Sequence, residues 1–124
     1  MENGANEDRR KYIRIKKNFI LSFYDKSDPD VRHIITQLKN ISHGGMCFIT
    51  SRYYKPGITM GIDMKTPFLA GTIHLDGTVL GCHEKVPNVI YETRIVFSIL
   101  DPEVEFILDK IVDYFKEGKP ENHE

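Results

Sequence analysis

Residues 58–65 read ITMGIDMK, and their alternation of apolar and polar side chains decides the fold class. The two sets alternate strictly, with Ile58, Met60, Ile62 and Met64 in one and Thr59, Gly61, Asp63 and Lys65 in the other. Side chains two residues apart share a face of an extended chain. The stretch therefore predicts an antiparallel strand with one buried face.

Similar stretches lie on both sides of this strand. Strands are predicted at residues 19–24, 46–50 and 88–100, and two more within residues 68–82, around a turn or bulge at Asp76-Gly77. The apolar residues of 31–41 fit either a helix or an irregular strand, because periodicity does not separate these for a short run. The chain is thus predicted to hold five to seven short strands.

The hydrophobic period changes after residue 100. Apolar side chains then follow helical spacing at Val104, Ile107, Leu108, Ile111, Val112 and Phe115. Asp101 suits the N-cap and Pro102 the first helical position, while Gly118 and Pro120 predict the end. The strands and this helix predict a small antiparallel barrel or sandwich that the helix covers.

Length and composition indicate one globular domain. The chain has 124 residues, of which 40% are apolar and 28% charged. We expect a domain over residues 9–117, a disordered leader at 1–8 and a disordered tail at 118–124. The polar start and the lack of about 18 consecutive apolar residues predict a cytoplasmic protein without membrane insertion. Cys47 and Cys82 then remain thiols.

Charge is distributed unevenly along the chain. The net charge is −1, yet six of the nine residues 9–17 are basic, and acidic residues predominate after residue 100. A basic entry segment on a near-neutral domain indicates a local anion site. It argues against DNA or RNA as a partner, since these require a continuous basic surface with stacking aromatics.

The first chemical motif is RKYIR at residues 10–14, an RxxxR preceded by Arg9. The guanidiniums of Arg10 and Arg14 share a side of the chain, about 6 Å apart along a helix or about 13 Å apart in an extended arm. Arginine can grip phosphate, hydrogen-bond the O6/N7 edge of guanine, or stack on a base. The pair suits a compact ligand with guanines and phosphates, although a solvated basic surface has the same composition.

The second motif is NISHGG at residues 40–45, an NxSxxG between two predicted strands. Asn40 offers a donor and an acceptor to a base edge, and Ser42 offers a hydroxyl. Gly44 and Gly45 would permit positive φ and the approach of a flat ring. An ordinary Asx or Ser turn between strands uses the same residue types.

The two motifs, in this order and about 25 residues apart, resemble those of the PilZ domain from Arg9 to Phe115. The resemblance implies an all-β fold, namely a six-stranded antiparallel β-barrel with a C-terminal α-helix, that binds cyclic di-GMP. No other cofactor and no metal are expected, because the His, Asp, Cys and Glu residues of 74–84 lack the spacing of a zinc motif. The arginine arm is polar and has few apolar anchors, so we expect it to be mobile until ligand orders it. An unidentified effector protein is the expected partner that reads this change.

The resemblance also assigns site residues. Arg10 and Arg14 match the arginines that clamp phosphate and guanine, and Arg9 lies beside them. Asn40, Ser42 and Gly45 match the positions that hold the other face of guanine, and Gly44 lies beside these. Some members place a large side chain on a following strand against guanine; here residues 79–82 offer Leu80 and Val79 but no aromatic ring.

Two other function classes, an enzyme and a protein-binding adaptor, are alternatives to a receptor. Catalysis is not expected, because the adjacent side chains of Ser42 and His43 diverge on a turn or strand and make a poor nucleophile and base. The alternative to a receptor is a PilZ-fold adaptor that binds only proteins, with Tyr91 and Arg94 or the cluster at residues 52–54 as its docking surface.

Overall fold

The computed structural model of the protein describes residues 12–15, 18–67 and 71–121. Within them the chain forms eight strands and one helix. These are β1 (Ile13–Arg14), β2 (Ile20–Asp25), β3 (His33–Ile35), β4 (Gln37–Ile41), β5 (Gly45–Thr50), β6 (Thr59–Lys65), β7 (Thr72–Val86), β8 (Ile90–Phe97) and α1 (Pro102–Glu121). The all-β class with a C-terminal helix is confirmed. The expected leader at residues 1–8 lies outside the described residues.

All strands belong to one antiparallel sheet in the order β1-β4-β5-β8-β7-β6-β2-β3. Only Thr36 separates β3 from β4, yet these strands pair at opposite ends of the sheet. The count is eight rather than the expected six because the 33–41 segment bends at Thr36 and pairs as two strands, and because β1 adds an edge strand. Pairing among the described strands does not close the sheet into a complete barrel.

The alternation at residues 58–65 buries its apolar set as predicted. Met60, Ile62 and Met64 are fully buried in the core, and Ile58 packs against it. The core continues through aromatic side chains, where the rings of Phe23 and Phe48 lie 5.1 Å apart. We call the opposite face of the sheet its outer face.

The predicted turn at Asp76-Gly77 is wrong, because β7 runs unbroken through both residues. Gly77 pairs with Met60 of β6 on one side and Phe97 of β8 on the other. A Cβ at Gly77 would lie 3.0 Å from the carbonyl oxygen of Val96. The glycine therefore serves the close approach of a neighbouring strand, and the irregularities of β7 fall later, after Val79 and Glu84.

The helix covers the core with the predicted face. Leu108, Ile111, Val112 and Phe115 are buried, and the Phe115 ring lies 5.5 Å from that of Phe19. The carbonyl of Asp101 accepts a hydrogen bond from the amide of Glu105 at 2.9 Å, as an N-cap does.

The helix continues through Glu121, past the end predicted at Gly118, so residues 118–121 of the expected disordered tail are helical. The part of the chain that the structure describes contains no helix with the length and hydrophobicity of a membrane span.

Candidate functional site

The NxSxxG motif forms the connection from β4 to β5. Asn40 is exposed near the end of β4, and residues 42–44 make the turn. The Ser42 amide donates to the Gly45 carbonyl at 2.9 Å, and the Gly44 amide donates to the Ser42 hydroxyl oxygen at 3.2 Å. Ser42 therefore builds the turn with its hydroxyl, and that side chain remains exposed to solvent.

The positive φ expected at the two glycines of the motif is not observed. Among the described glycines only Gly57 has a positive φ, so neither Gly44 nor Gly45 is required for that conformation. A Cβ at Gly45 would instead overlap the carbonyl oxygen of Ile95 on β8. The Phe97 amide also donates to the Gly44 carbonyl at 2.8 Å. Gly45 thus allows β5 to begin in close contact with β8.

The basic arm is the segment of residues 9–17, and its described residues 12–15 lie beside the strand that leads into this motif. In β1, Ile13 pairs with Leu38 and Arg14 with Gln37, so the arm runs along β4, the strand that carries Asn40. Ile13 packs against the core, and the Arg14 side chain is exposed. The structure thus brings Arg14 and the NxSxxG motif together on adjacent strands. Arg9 and Arg10 lie outside the described residues.

The arm has more apolar anchoring than its composition indicated. Ile13 and Ile15 both pack against the core, and the Ile15 amide donates to the Thr36 carbonyl at 3.2 Å. Tyr12 adds a hydrogen bond to Glu92 on β8 at 2.6 Å. Residues 12–15 are therefore attached to the sheet, contrary to the expectation of an arm with few anchors.

Strand register places a further arginine near Asn40. Asn40 pairs with Cys47, Cys47 with Arg94, and Arg94 with Gly81, so the four lie in one row across four strands. Asn40 and Arg94 are thus two strand spacings apart, about 10 Å. Both are exposed on the outer face. The sequence predicts Arg94 only as part of a docking surface. Its outward position follows from the alternation of residues 90–97, but its place in this row depends on the strand register.

Two exposed apolar side chains lie next to this row. Leu80 is the extra residue where the β7–β8 register shifts, and its side chain is 62% exposed. Val96 follows Arg94 on the same face of β8 and is 44% exposed. Val79 is buried, so of the pair considered for stacking only Leu80 can contact a ligand. A flat ring over Gly81 would meet no Cβ there.

A buried carboxylate sets the electrostatics beside the row. Glu92 is 6% exposed, and Lys39 donates to its Oε1 at 3.4 Å while Tyr12 donates to its Oε2. Burial raises the pKa of Glu92, but the Tyr12 hydrogen bond and the charges of Lys39 and Lys85 outweigh it, so the pKa lies below its ordinary value. Burial raises the pKa of the Cys47 thiol, which remains protonated at neutral pH.

The motif turn also contacts the helix. His43, the residue between Ser42 and Gly44, pairs through Nε2 with the Asp109 carboxylate of α1. Both side chains are exposed. His43 is thus a polar loop residue directed at the helix, and its contact places α1 against the turn that carries Ser42.

The polar and basic side chains in and near this row on the outer face can hold a planar, anionic ligand. Arg14 and Arg94 supply cationic forks, Asn40 supplies an amide, and Leu80 supplies an apolar contact. Among the described residues, no group of three or more histidine, cysteine, aspartate or glutamate side chains is placed to hold a metal ion.

Comparison with known structures gives the same fold. The PilZ domain of Escherichia coli YcgR, solved with c-di-GMP, is 20% identical, with a TM-score of 0.60 over 93% of this chain and 97% of that one. The K. pneumonia MrkH–c-di-GMP complex is 17% identical, with a TM-score of 0.61 over 89% and 53%. The Bacillus subtilis inhibitor of motility MotI/DgrA is 13% identical, with a TM-score of 0.57 over 94% and 54%.

This chain therefore spans about half the length of the MotI and MrkH chains and nearly all of the YcgR domain. No curated protein matches it in sequence. The sequence profile described as the PilZ domain matches residues 8–116, which is most of the chain. Together with the open antiparallel sheet, its C-terminal helix and the NxSxxG turn, this match shows that the chain belongs to the PilZ family.

Proposed function

We propose that this PilZ domain is a receptor for cyclic di-GMP. The observation that carries the proposal is the placement of Arg14 on β1 directly beside β4, the strand that carries Asn40 into the NxSxxG turn. The family match and the structural similarity to c-di-GMP complexes of YcgR and MrkH support the choice of ligand.

Each part of the ligand has a proposed partner. Arg10 and Arg14, with Arg9 beside them, hold the phosphates and one guanine through charge-assisted hydrogen bonds. Asn40 and the Ser42 hydroxyl bond the edge of a guanine. That guanine lies over the turn at Gly44, and Gly45 holds the turn against β8.

The outer face beyond the turn adds two contacts to this set. Arg94 stacks on the same guanine or bonds to it, since it lies two strands from Asn40 in register. Leu80 supplies the apolar contact in place of the aromatic ring found in some members. No step of bond making or breaking is involved, and the output is a change in the arm that an effector protein reads.

The energetics favour moderate affinity. Each charge-assisted hydrogen bond contributes about 1.5–3 kcal/mol, and each backbone residue that becomes ordered costs about 1–2 kcal/mol. Because residues 12–15 already contact the sheet, ligand binding need not order them. We expect a Kd near the micromolar level, about −8 kcal/mol.

Calorimetric titration with c-di-GMP tests the proposal. We expect saturable binding by the wild type, a Kd raised at least tenfold in Arg14→Ala, and loss of measurable binding in the double variant Arg10→Ala/Arg14→Ala. Arg52→Ala is the matched control, because Arg52 is an exposed arginine beyond the opposite end of β5. GTP should not compete.

The same titration decides between the receptor and the alternative. Absence of binding at 100 times the expected Kd would reject the receptor and leave the protein-only adaptor. Equal loss of affinity in Arg52→Ala and Arg14→Ala would show that only general positive charge matters. Hydrogen exchange gives a second readout, with protection of amides 9–17 expected to rise on ligand addition, less at Ile15 than elsewhere because its amide is already bonded.

A further inference from the structure

Glu92 is a buried acid on a face where its strand neighbours are exposed. It follows the same alternation on β8 as Arg94 and Val96, both of which face solvent, yet only 6% of Glu92 is exposed. Cys47, the outward residue of β5 in this region, is 1% exposed. Neighbouring side chains therefore cover this part of the outer face.

Tyr12 of the basic arm and Lys39 of β4 lie against Glu92. The Tyr12 hydroxyl donates to Glu92 Oε2 at 2.6 Å, and Lys39 of β4 donates to Oε1 at 3.4 Å. Since β1 lies at the sheet edge and β8 is its third neighbour, the Tyr12 side chain reaches over β4 and β5 to make this bond. We call this contact, formed by Tyr12 and Glu92, the arm latch.

The arm latch is suited to fix the arginines of the motif. Tyr12 is the middle residue of the RxxxR sequence, and an extended chain places residues two apart on one face. Tyr12 thus shares a face with Arg14, while Ile13 packs inward. An O–H···O⁻ hydrogen bond is short and strong when the acceptor is ionised. The charge of Lys39 and the lowered pKa of Glu92 support the ionised state.

We propose that Glu92 is a positioning residue for the nucleotide site: by holding Tyr12 over β8 it fixes the arm on the outer face, so that Arg14 is presented to the ligand beside the NxSxxG turn. This inference rests on the proposed function. Glu92 itself need not touch the ligand. Breaking the latch would lower affinity, because the ligand would then have to order a segment that the latch holds in advance.

The test compares Tyr12→Phe and Glu92→Gln with the wild type and with Tyr53→Phe, which removes the hydroxyl of an exposed tyrosine outside the latch. We expect both latch variants to raise the Kd for c-di-GMP about tenfold, equivalent to about 1.4 kcal/mol. Tyr12→Phe removes the donor, and Glu92→Gln replaces the ionised acceptor by a neutral one. Because both changes act on one bond, the double variant should raise the Kd no further. Tyr53→Phe should bind as the wild type does.

Hydrogen exchange without ligand separates this inference from the proposed function. In Tyr12→Phe, exchange should be faster at the Ile15 amide and unchanged in β6, which a general loss of stability would not produce. Unchanged exchange at Ile15 together with unchanged Kd would overturn the arm latch. Tighter binding by Tyr12→Phe would also overturn it, because it would show that Tyr12 blocks the face.

If the wild type fails to bind c-di-GMP, the proposed function is wrong and the predicted effect on affinity falls with it. Faster exchange at Ile15 in Tyr12→Phe would still establish that the pair holds the arm.

Discussion

Residue 45 has to be a glycine because the neighbouring strand β8 leaves no room for a side chain. It pairs with Val96, and a side chain on it would overlap the backbone carbonyl of Ile95. A backbone atom in a central strand cannot move aside as a flexible side chain can. The last glycine of the NxSxxG motif is therefore required for sheet packing at the point where the candidate site begins, whatever ligand the site takes.

We expect Gly45→Ala to destabilise the domain by about 1–3 kcal/mol, the usual cost of inserting atoms into a packed site. The free energy of unfolding in urea measures this. Gly81→Ala is the control, because a Cβ there would meet no atom within 4 Å, and its effect should stay within about 0.5 kcal/mol. Equal stability of the two variants would contradict the steric role.

For single residues, the sequence showed which side chains the motif offers but not which strands they pack against. Asn40 and Ser42 are exposed, and the Ser turn that the motif also allows is formed through the Ser42 hydroxyl. The role of Gly45 could not be predicted, because it depends on β8, which lies about 50 residues later in the chain. The placement of Arg94 in the row of Asn40 depends on two strand registers for the same reason.

Helix α1 shows what sequence predicts well in an element. Its buried face repeats every 3.6 residues, so the side chains that cover the core were identified from spacing alone. β7 shows the opposite case. Its Asp76-Gly77 pair has the composition of a turn, but pairing with both β6 and β8 overrides that local preference. The predicted end of α1 at Gly118 was also wrong, because the helix continues through Glu121.

The buried face of α1 contributes strongly to stability. We expect Leu108→Ala to cost about 2–5 kcal/mol, as truncation of a fully buried leucine usually does. Phe106→Ala is the matched control, because that ring is 62% exposed and contacts only the Lys110 ammonium among the ring contacts described for it. It should cost at most about 1 kcal/mol. Chemical unfolding monitored by circular dichroism measures both changes. A larger loss of stability in Phe106→Ala than in Leu108→Ala would contradict the packing.

For the molecule as a whole, acid should weaken the fold in part through Glu92. Its pKa in the folded protein lies below the ordinary value of 4.5. The folded state therefore binds this proton less tightly than the unfolded state does. The resulting stability is present above about pH 4.5 and is lost as the pH falls through the folded pKa.

Urea unfolding between pH 3 and 7 measures this contribution. We expect the wild type to be more stable than Glu92→Gln at pH 7, and the difference between them to shrink below about pH 4.5. A difference that stays constant over the whole range would show that ionisation of Glu92 does not contribute.

The fold class could be predicted from the sequence, but the number of strands could not. Alternation at 58–65 and helical spacing after 100 were enough to indicate a mainly β domain covered by a helix. Residues 31–41 remained open between helix and strand, because their short apolar run has no clear period. Their division at Thr36 is set by the two ends of the sheet, with Leu21 pairing before it at Ile35 and Phe48 after it at Leu38.

Thr36 is therefore a seam of one residue that joins strands near the two ends of the sheet. The β2–β3 and β4–β5 ladders fix their registers independently on its two sides. An inserted residue at this seam could bulge outward without disturbing either ladder. Deletion of Thr36 would instead force one ladder to slip by a single position, and a slip of one turns every side chain of the strand to the other face. In β4 that slip would move Leu38 out of the core and turn Asn40 away from the ligand.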